Sequence, residues 1–450
     1  MPVQNPNLKT LLYIALPMVI SQASETVMLF VDRLFLSWLG KAYISAAMSG
    51  GLSAFVFMSL FVGTVGYVNA LSAQYYGAKE EGNCVKTVTQ GFRLSIIFYP
   101  LALALIPLVG KFFTVSGHTP QQVVLEFTYF RILMFGGLLA LFRTVLASFF
   151  LGIGRTRIVM YSNLAGMVIN IPVNYILIFG KLGFPAMGIT GAAIGTLAGS
   201  LLIFVILLIS FLKHKIYRTH KSAILWKLDK SIMKKLLRFG VPAGIEMFLN
   251  VFAFNLFVQM MHSYSEDVAA AVTITFNYDM LAFIPMLGLG FATTSLVGQQ
   301  MGADNPEGAS KVAGLSIRVG MVYAFFMMMI FIFGAGWLVQ VFSGGLTEAD
   351  SAVVPLAKTM LRLASIYTLA DVIQLVLAGT LRGAGDTKWV MYISVVLHWF
   401  MAIGAYFMIK VFVLDPISIW IGFISFIVLL GAAMFVRYKY GPWKKMRIIS

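Results

Sequence analysis

Gln74-Tyr75-Tyr76-Gly77-Ala78 returns in the second half of the chain as Gln299-Gln300-Met301-Gly302-Ala303. Each copy stands where a long apolar run gives way to a polar turn with one further glycine, Gly82 or Gly308. Upstream of the two copies, Leu11-Leu12-Tyr13-Ile14-Ala15-Leu16-Pro17 matches Leu236-Leu237-Arg238-Phe239-Gly240-Val241-Pro242. Downstream, Gly152-Ile153-Gly154-Arg155-Thr156 leads to Val159-Met160-Tyr161 as Gly383-Ala384-Gly385-Asp386-Thr387 leads to Val390-Met391-Tyr392. Gly-rich turns recur by chance between helices, but three matches in one order at nearly constant offset do not. The chain reads as a repeat of two halves.

The material between these motifs is hydrocarbon. Of 450 residues 60% are hydrophobic and 11% charged, with mean hydropathy +0.89, whereas a soluble domain is roughly one-quarter charged. Apolar runs long enough to cross a bilayer fall at about 10–39, 45–74, 92–113, 127–150, 158–180, 188–212, 236–262, 268–297, 311–341, 352–380, 388–411 and 416–437. The reading is an all-α polytopic membrane protein with twelve transmembrane helices. Residues 1–212 form an N-lobe, 213–235 a basic cytoplasmic linker and 236–450 a C-lobe. Six is an even number of spans, so the six-helix lobes share one orientation and a pseudo-two-fold axis along the membrane normal, with a path between them. The polar, uncharged start lacks a small-residue cleavage site after a short apolar core, so the first span is expected to be retained.

The net charge of +16 is a topology signal. Nine Lys and Arg lie from Lys213 to Arg238 and five from Arg437 to Arg447, whereas the alternate connections hold only Lys41, Lys111, Lys181 and Lys410. That asymmetry places both termini in the cytoplasm and argues against nucleic acid. The single Cys84 permits no intramolecular disulfide. No G-x-x-x-x-G-K-[ST] loop and no H-E-x-x-H run occurs, so neither nucleotide hydrolysis nor zinc chemistry is encoded in a recognised form.

Against this background the acids stand out. Asp32, Glu246, Asp279 and Asp371 lie inside apolar runs, and Glu25 precedes Asp32 on the same span. An ionised acid at a helix centre costs roughly 3 kcal/mol, so four or five together cost on the order of 10–15 kcal/mol unless something binds them. Helical rise puts Glu246, Asp279 and Asp371 roughly 14–17 Å deep, near the midplane. Tyr367, Asp371 and Gln374 share a helix face at i, i+4 and i+7. Asp32 shares its depth, toward the outer side, with Asn170, Asn174 and Thr196. Gln22 and Glu25 lie on Asp32's face as candidates to line a cavity. Such acids can ligate a monovalent cation or carry a proton, or be neutralised by Lys358, Arg362 or helix-end groups. The amides and Thr196 can equally be packing glue. Pro17, Pro172, Pro242 and Pro285 interrupt helices and are either hinges or static kinks.

These residues resemble the multidrug and toxic compound extrusion (MATE) family, NorM-like branch, over essentially the whole chain. The resemblance implies that Asp32 with Asn170, Asn174 and Thr196 forms an N-lobe proton or cation site. It also implies that Glu246, Tyr367 and Asp371 form a C-lobe cation site, with Glu246 and Asp371 the ligands of Na+. Two departures are visible: Val31-Asp32-Arg33 stands where the family usually has V-D-T, and Asp279 replaces what is commonly an uncharged polar residue.

The expected function is a cation-coupled antiporter, driven by Na+ or H+ or both, that exports organic cations through a cavity lined by Asp279, Glu25, Gln22 and Gln374. No catalytic residue and no cofactor beyond the coupling ion is expected. The expected partners are small organic cations and the lipid bilayer, with no nucleic acid, and the chain acts as a monomer in a bacterial inner membrane. The rival readings are a lipid-linked oligosaccharide flippase, which needs a cationic cavity for pyrophosphate, and a membrane-embedded enzyme or channel, for which no metal, nucleophile or filter motif is present.

Overall fold

The structure, a computed structural model, describes residues 6–115, 119–221, 228–343 and 352–449; residues 222–227 of the expected linker lie outside them. Among the described residues all regular elements are helical. Eleven helices are long and apolar enough to cross a membrane, and a bent pair supplies a twelfth. The N-lobe consists of α1 (Leu8–Ser37), α2 (Lys41–Gly77), α3 (Glu81–Lys111), α4 (Pro120–Phe135 and Gly137–Gly152, bent by 47°), α5 (Thr156–Phe179) and α6 (Ile189–Lys213). The C-lobe consists of α7 (Lys230–His262), α8 (Glu266–Gly302), α9 (Pro306–Ser343), α10 (Val353–Ala384), α11 (Thr387–Val411) and α12 (Pro416–Tyr440). A short helix, Lys215–Thr219, follows α6.

The ends of these helices follow from local chemistry. Asn7, Asp229 and Ser265 each accept a hydrogen bond from the backbone N–H three residues on, opening α1, α7 and α8, which satisfies donors that a helix start otherwise leaves orphaned. Asp415 caps α12 in the same way, and the bond from the Ser418 hydroxyl holds its carboxyl below the usual carboxylate range. Gly180 closes α5 and Gly385 closes α10 at φ +66° and +104°, a left-handed conformation in which a Cβ is strained. Prolines lie inside α1, α3, α5, α7 and α8.

The lobes meet at one end of the bundle, the basic end that carries the Lys213–Arg238 connection. There, every residue from Tyr67 to Gly77 in α2 and from Ala292 to Met301 in α8 is buried, while the far halves of both helices expose a face that includes Phe55 and Met280. A helix section buried all round must be wrapped by both lobes, so the lobes touch here and part toward the opposite end. The contact is reciprocal. A Cβ on Gly77 would overlap the Gln299 carbonyl, and one on Gly302 would overlap the Gln74 carbonyl. Gln74 Nε2 donates to the Gly383 carbonyl at 2.8 Å, and Gln299 Nε2 donates to the Gly152 carbonyl at 2.8 Å. Higher up, a Cβ on Gly63 would lie 2.8 Å from Gly244 Cα, joining α2 to α7, and one on Gly288 would lie 2.9 Å from Val19 N, joining α8 to α1.

The cores interlock in the same sense. Leu11, Ile14 and Ala15 of α1 are buried in the C-lobe core, and Ile232, Met233 and Leu236 of α7 in the N-lobe core. All three sequence repeats therefore lie at this closed end.

Because the closed end has no room at Gly302, we predict that Gly302→Ala destabilises the protein by about 1–3 kcal/mol through overpacking. Gly404→Ala, where a Cβ meets nothing within 4 Å, should be neutral or stabilising by up to about 1 kcal/mol. Thermal unfolding in detergent compares the two, and equal Tm values for both variants refute the close-contact account.

Candidate functional site

The N-lobe polar set is assembled from three helices. Asp32 (α1), Asn170 and Asn174 (α5) are buried, and Thr196 (α6) is half-buried. Asn174 Nδ2 donates to Asp32 Oδ1, and Thr196 Oγ1 lies 3.0 Å from Asp32 Oδ2. The same Asn174 nitrogen is 3.3 Å from Asn170 Oδ1. Gly195 makes this possible, because a Cβ there would overlap the Asn174 side chain. Thr196 Oγ1 is also 3.0 Å from the Ala192 carbonyl, and a hydroxyl has one proton for two acceptors. With Asp32 ionised, Thr196 can donate to it; with Asp32 protonated, the acid can donate to Thr196 while Thr196 donates to Ala192. The site thus has a complete bonding pattern for either state of the acid. Two polar atoms beside it, Asn170 Nδ2 and Asn174 Oδ1, are buried without a partner, a condition that costs about 1–3 kcal/mol per group. Arg33 is exposed, turned from its buried neighbour. Tyr129 (α4), buried and close to Thr196 and Asp32, belongs to the set and was not singled out from sequence.

Glu25, on the same helix as Asp32, is about two turns nearer the basic end. Its Oε1 lies 3.4 Å from Arg143 Nη2 of α4 and accepts from Asn163 Nδ2 of α5 at 3.0 Å; Asn163 Nδ2 also contacts Ser21 Oγ at 2.6 Å. Sequence reasoning missed Arg143 and Asn163, although Arg143, one of two cations inside α4 with Arg131, falls within an apolar stretch where a carboxylate is the natural partner. Gln22 and Gln374 are half-buried, and neither side chain has a hydrogen-bond partner among the described residues.

In the C-lobe the grouping differs from the expected one. Asp279 (α8), Tyr367 and Asp371 (both α10) are mutual neighbours. Tyr367 is fully buried, Asp371 is 9% exposed and Asp279 is half-buried. The Tyr367 hydroxyl faces this acid pair without a hydrogen bond of good geometry. Tyr367 is held by the ring of Phe423, 5.7 Å away and nearly perpendicular, within an aromatic cluster that includes Phe257, Phe276 and Trp420. Glu246 is bound elsewhere. Its Oε1 is 2.6 Å from Arg382 Nη2, at the basic end of α10. The Arg382 carbonyl is in turn 3.3 Å from the Tyr67 hydroxyl across the lobe interface, and Gly383 is the residue that Gln74 contacts. Glu246 Oε2 and, one turn on, Asn250 Oδ1 have no partner. Among the described residues no three acidic, histidine or cysteine side chains converge as a metal cluster.

Two helical lobes that close reciprocally at one end, with acids inside the spans of each, define a membrane transporter. Residues 17–176 and 242–407 match the MatE family model, one block in each lobe, and the chain belongs to the MatE family. It is 28% identical over 400 residues to the multidrug resistance protein PmpM of Pseudomonas aeruginosa, covering 87% of this chain and 82% of that one. It is likewise 28% identical over 447 residues to a probable multidrug resistance protein NorM of Oceanobacillus iheyensis, covering 96% and 97%. The fold matches a multidrug resistance MATE transporter of the MOP superfamily solved in an outward-facing conformation, with TM-score 0.86, 19% identity and coverage of 96% and 95%. A MATE structure in a bent conformation gives TM-score 0.84 at 18% identity, covering 96% and 94%. The protein is a multi-pass membrane transporter of a multidrug efflux family and not an enzyme.

Removing one member of a buried ion pair leaves the other charged and unsatisfied, at about 3–5 kcal/mol. We therefore predict that Arg382→Gln destabilises the protein by that amount and that Glu246→Gln/Arg382→Gln recovers most of it. A double-mutant cycle by thermal unfolding in detergent measures the coupling; additive effects of the two changes contradict it.

Proposed function

We propose that this transporter is an antiporter driven by Na+ and/or H+ that exports organic cations by alternating access, as a monomer. It sits in a bacterial inner membrane with both termini cytoplasmic, as the concentration of Lys and Arg at the basic end requires. With that end inside, the arrangement described above is closed to the cytoplasm and open outward. The observation that carries the proposal is the Asp279–Asp371 pair. Two neighbouring carboxylates repel unless a proton or a cation enters between them, and among the described residues no basic side chain acts on either. Glu246, by contrast, already has Arg382.

The C-lobe ion site is therefore centred on Asp279, Tyr367 and Asp371, and Glu246 is reassigned from ion ligand to anchor of the closed end. Asp32, with Asn170, Asn174 and Thr196, is the N-lobe site, and its two bonding patterns suit proton uptake. A cationic substrate and the driving ion compete for the same negative charge, which is a differential interaction of the kind that shifts a two-state equilibrium. One charge crossing about 150 mV releases about 3.5 kcal/mol, enough for several-hundred-fold accumulation of a neutral solute. One-for-one exchange with a monocation is electrically silent. A flippase for a pyrophosphate lipid is disfavoured, because the deep cations Arg143 and Arg382 are both committed to carboxylates.

The test is efflux of a fluorescent organic cation such as ethidium from proteoliposomes under a Na+ gradient or a pH gradient, imposed separately. Asp371→Asn and Asp279→Asn are predicted to abolish ion-driven efflux, whereas Glu246→Gln/Arg382→Gln retains it. Unchanged efflux in Asp371→Asn sinks the C-lobe assignment. For Asp32→Asn, ion-triggered release should be lost, and normal release removes Asp32 from the mechanism.

A further inference from the structure

A pocket of about 370 Å³ opens at the basic end of the C-lobe, where α7, the turn between α10 and α11 and the C-terminal segment meet. Its lining includes Arg238, Lys388 and Arg447 together with Trp389 and Tyr392. The one acid in the lining, Asp386, is buried and its Oδ2 is 2.7 Å from Arg437 Nε. The Arg437 guanidinium lies 4.6 Å over the ring of Trp389, a lining residue, and is thereby held between that ring and Asp386. Arg447 is bound to Asp304 at 2.5 Å. Arg238 and Lys388 are exposed and have no carboxylate partner among the described residues. The pocket therefore presents two uncompensated cations and no free acid.

A second observation says what approaches it. Trp389, Tyr392, Val396, Phe400 and Ile403 are exposed and recur every three or four residues along α11, beginning at the pocket mouth. This apolar stripe extends about 21 Å at 1.5 Å per residue, more than the roughly 15 Å that one leaflet contributes to a 30 Å hydrocarbon core. An inorganic anion has no use for such a stripe; an acyl chain does. Basic pockets among membrane helices at the polar boundary are suited to anionic headgroups, and the bare cations disfavour a headgroup that brings its own ammonium.

We propose that this pocket binds the phosphodiester headgroup of an anionic glycerophospholipid, with an acyl chain laid along the exposed stripe of α11. The proposal stands apart from the ion sites and from the coupling mechanism.

The test is native mass spectrometry of the full-length protein in detergent, titrated with dioleoyl phosphatidylglycerol and, separately, with dioleoyl phosphatidylcholine, inorganic phosphate or glycerol 3-phosphate. Arg238→Gln/Lys388→Gln should bind one fewer phosphatidylglycerol at low lipid, with apparent Kd for the first site raised about tenfold. The charge-keeping Arg238→Lys/Lys388→Arg should bind as the native protein does. Lys213→Gln/Lys215→Gln, an equal loss of charge at the N-lobe, should leave that site unchanged. The proposal is overturned by equal losses in the two neutralised variants, which indicates general surface charge, or by native binding in the pocket variant. It is also overturned by phosphatidylcholine binding equally well, or by inorganic phosphate displacing the lipid at equal concentration.

Discussion

The constraint on which the architecture rests is the approach of two helix backbones at the basic end. Where α2 meets α8, Gly77 lies on the Gln299 carbonyl and Gly302 on the Gln74 carbonyl, leaving no space for any side chain at either glycine. Backbones brought so close desolvate their own polar groups, and buried carbonyls need donors. The two glutamines answer this by reaching past each other to the turns of the opposite lobe. Those turns are fixed the same way: Cβ atoms on Gly152 and Gly383 would both be 2.6 Å from a backbone oxygen, of Asn69 and Thr294 respectively. Inter-lobe hydrogen bonds cluster here, including Ser295 to Asn69 at 2.8 Å.

This constraint explains which parts of the fold were legible in the sequence. A pseudo-two-fold contact is self-complementary, as in an isologous dimer, so each surface meets a copy of itself and both copies answer to one set of distances. Gly77 and Gly302, Gln74 and Gln299, and the Gly152 and Gly383 turns therefore repeat, and so do the two segments ending in Pro17 and Pro242 that plug into each other's cores. Twelve spans were visible because backbone polar groups in hydrocarbon permit only helices long enough to cross. The bend at Gly136 within α4 was not, since hydropathy averages over it.

The sites were legible in one dimension only. Counting along a helix gives depth, and the depths of Asp32, Asn170, Asn174 and Thr196 did converge on one hydrogen-bonded set. Rotation about the helix axis and the choice of neighbour are tertiary facts. For that reason Asp279 looked like an odd member although it is the partner of Asp371, and Glu246 was grouped with acids although its charge is spent on Arg382. Arg382 lies in the last turn of α10, where a cation is expected to face the cytoplasm, but its long guanidinium stem reaches back into the bundle to Glu246. Arg143 lies inside α4, where residue counting gives its depth but not that Glu25 of α1 is its neighbour.

The two lobes diverge where the axis no longer constrains them. Asp32 and Phe257 occupy equivalent places in α1 and α7, yet one accepts from Asn174 and Thr196 while the other stacks on Phe423 with centroids 4.8 Å apart and planes at 13°. Beyond Glu246 of α7, whose charge is met by Arg382, the C-lobe carries its acids on α8 and α10. The same divergence appears one helical turn from the interface, where Ser21 in α1 answers Glu246 in α7: the serine contacts Asn163 at 2.6 Å, and the glutamate anchors Arg382 beside the Gln74 contact. In each lobe, then, one helix joins the closed end to a polar group. α1 runs from Leu11 in the C-lobe core, past Pro17, to Asp32, and α7 runs from Leu236 in the N-lobe core, past Pro242, to Glu246. The N-lobe acid ends in a site with a bonding pattern for either protonation state; the C-lobe acid ends in an ion pair. A repeat that is symmetric where the lobes touch and asymmetric along these helices gives one common closure and two unlike inputs to it.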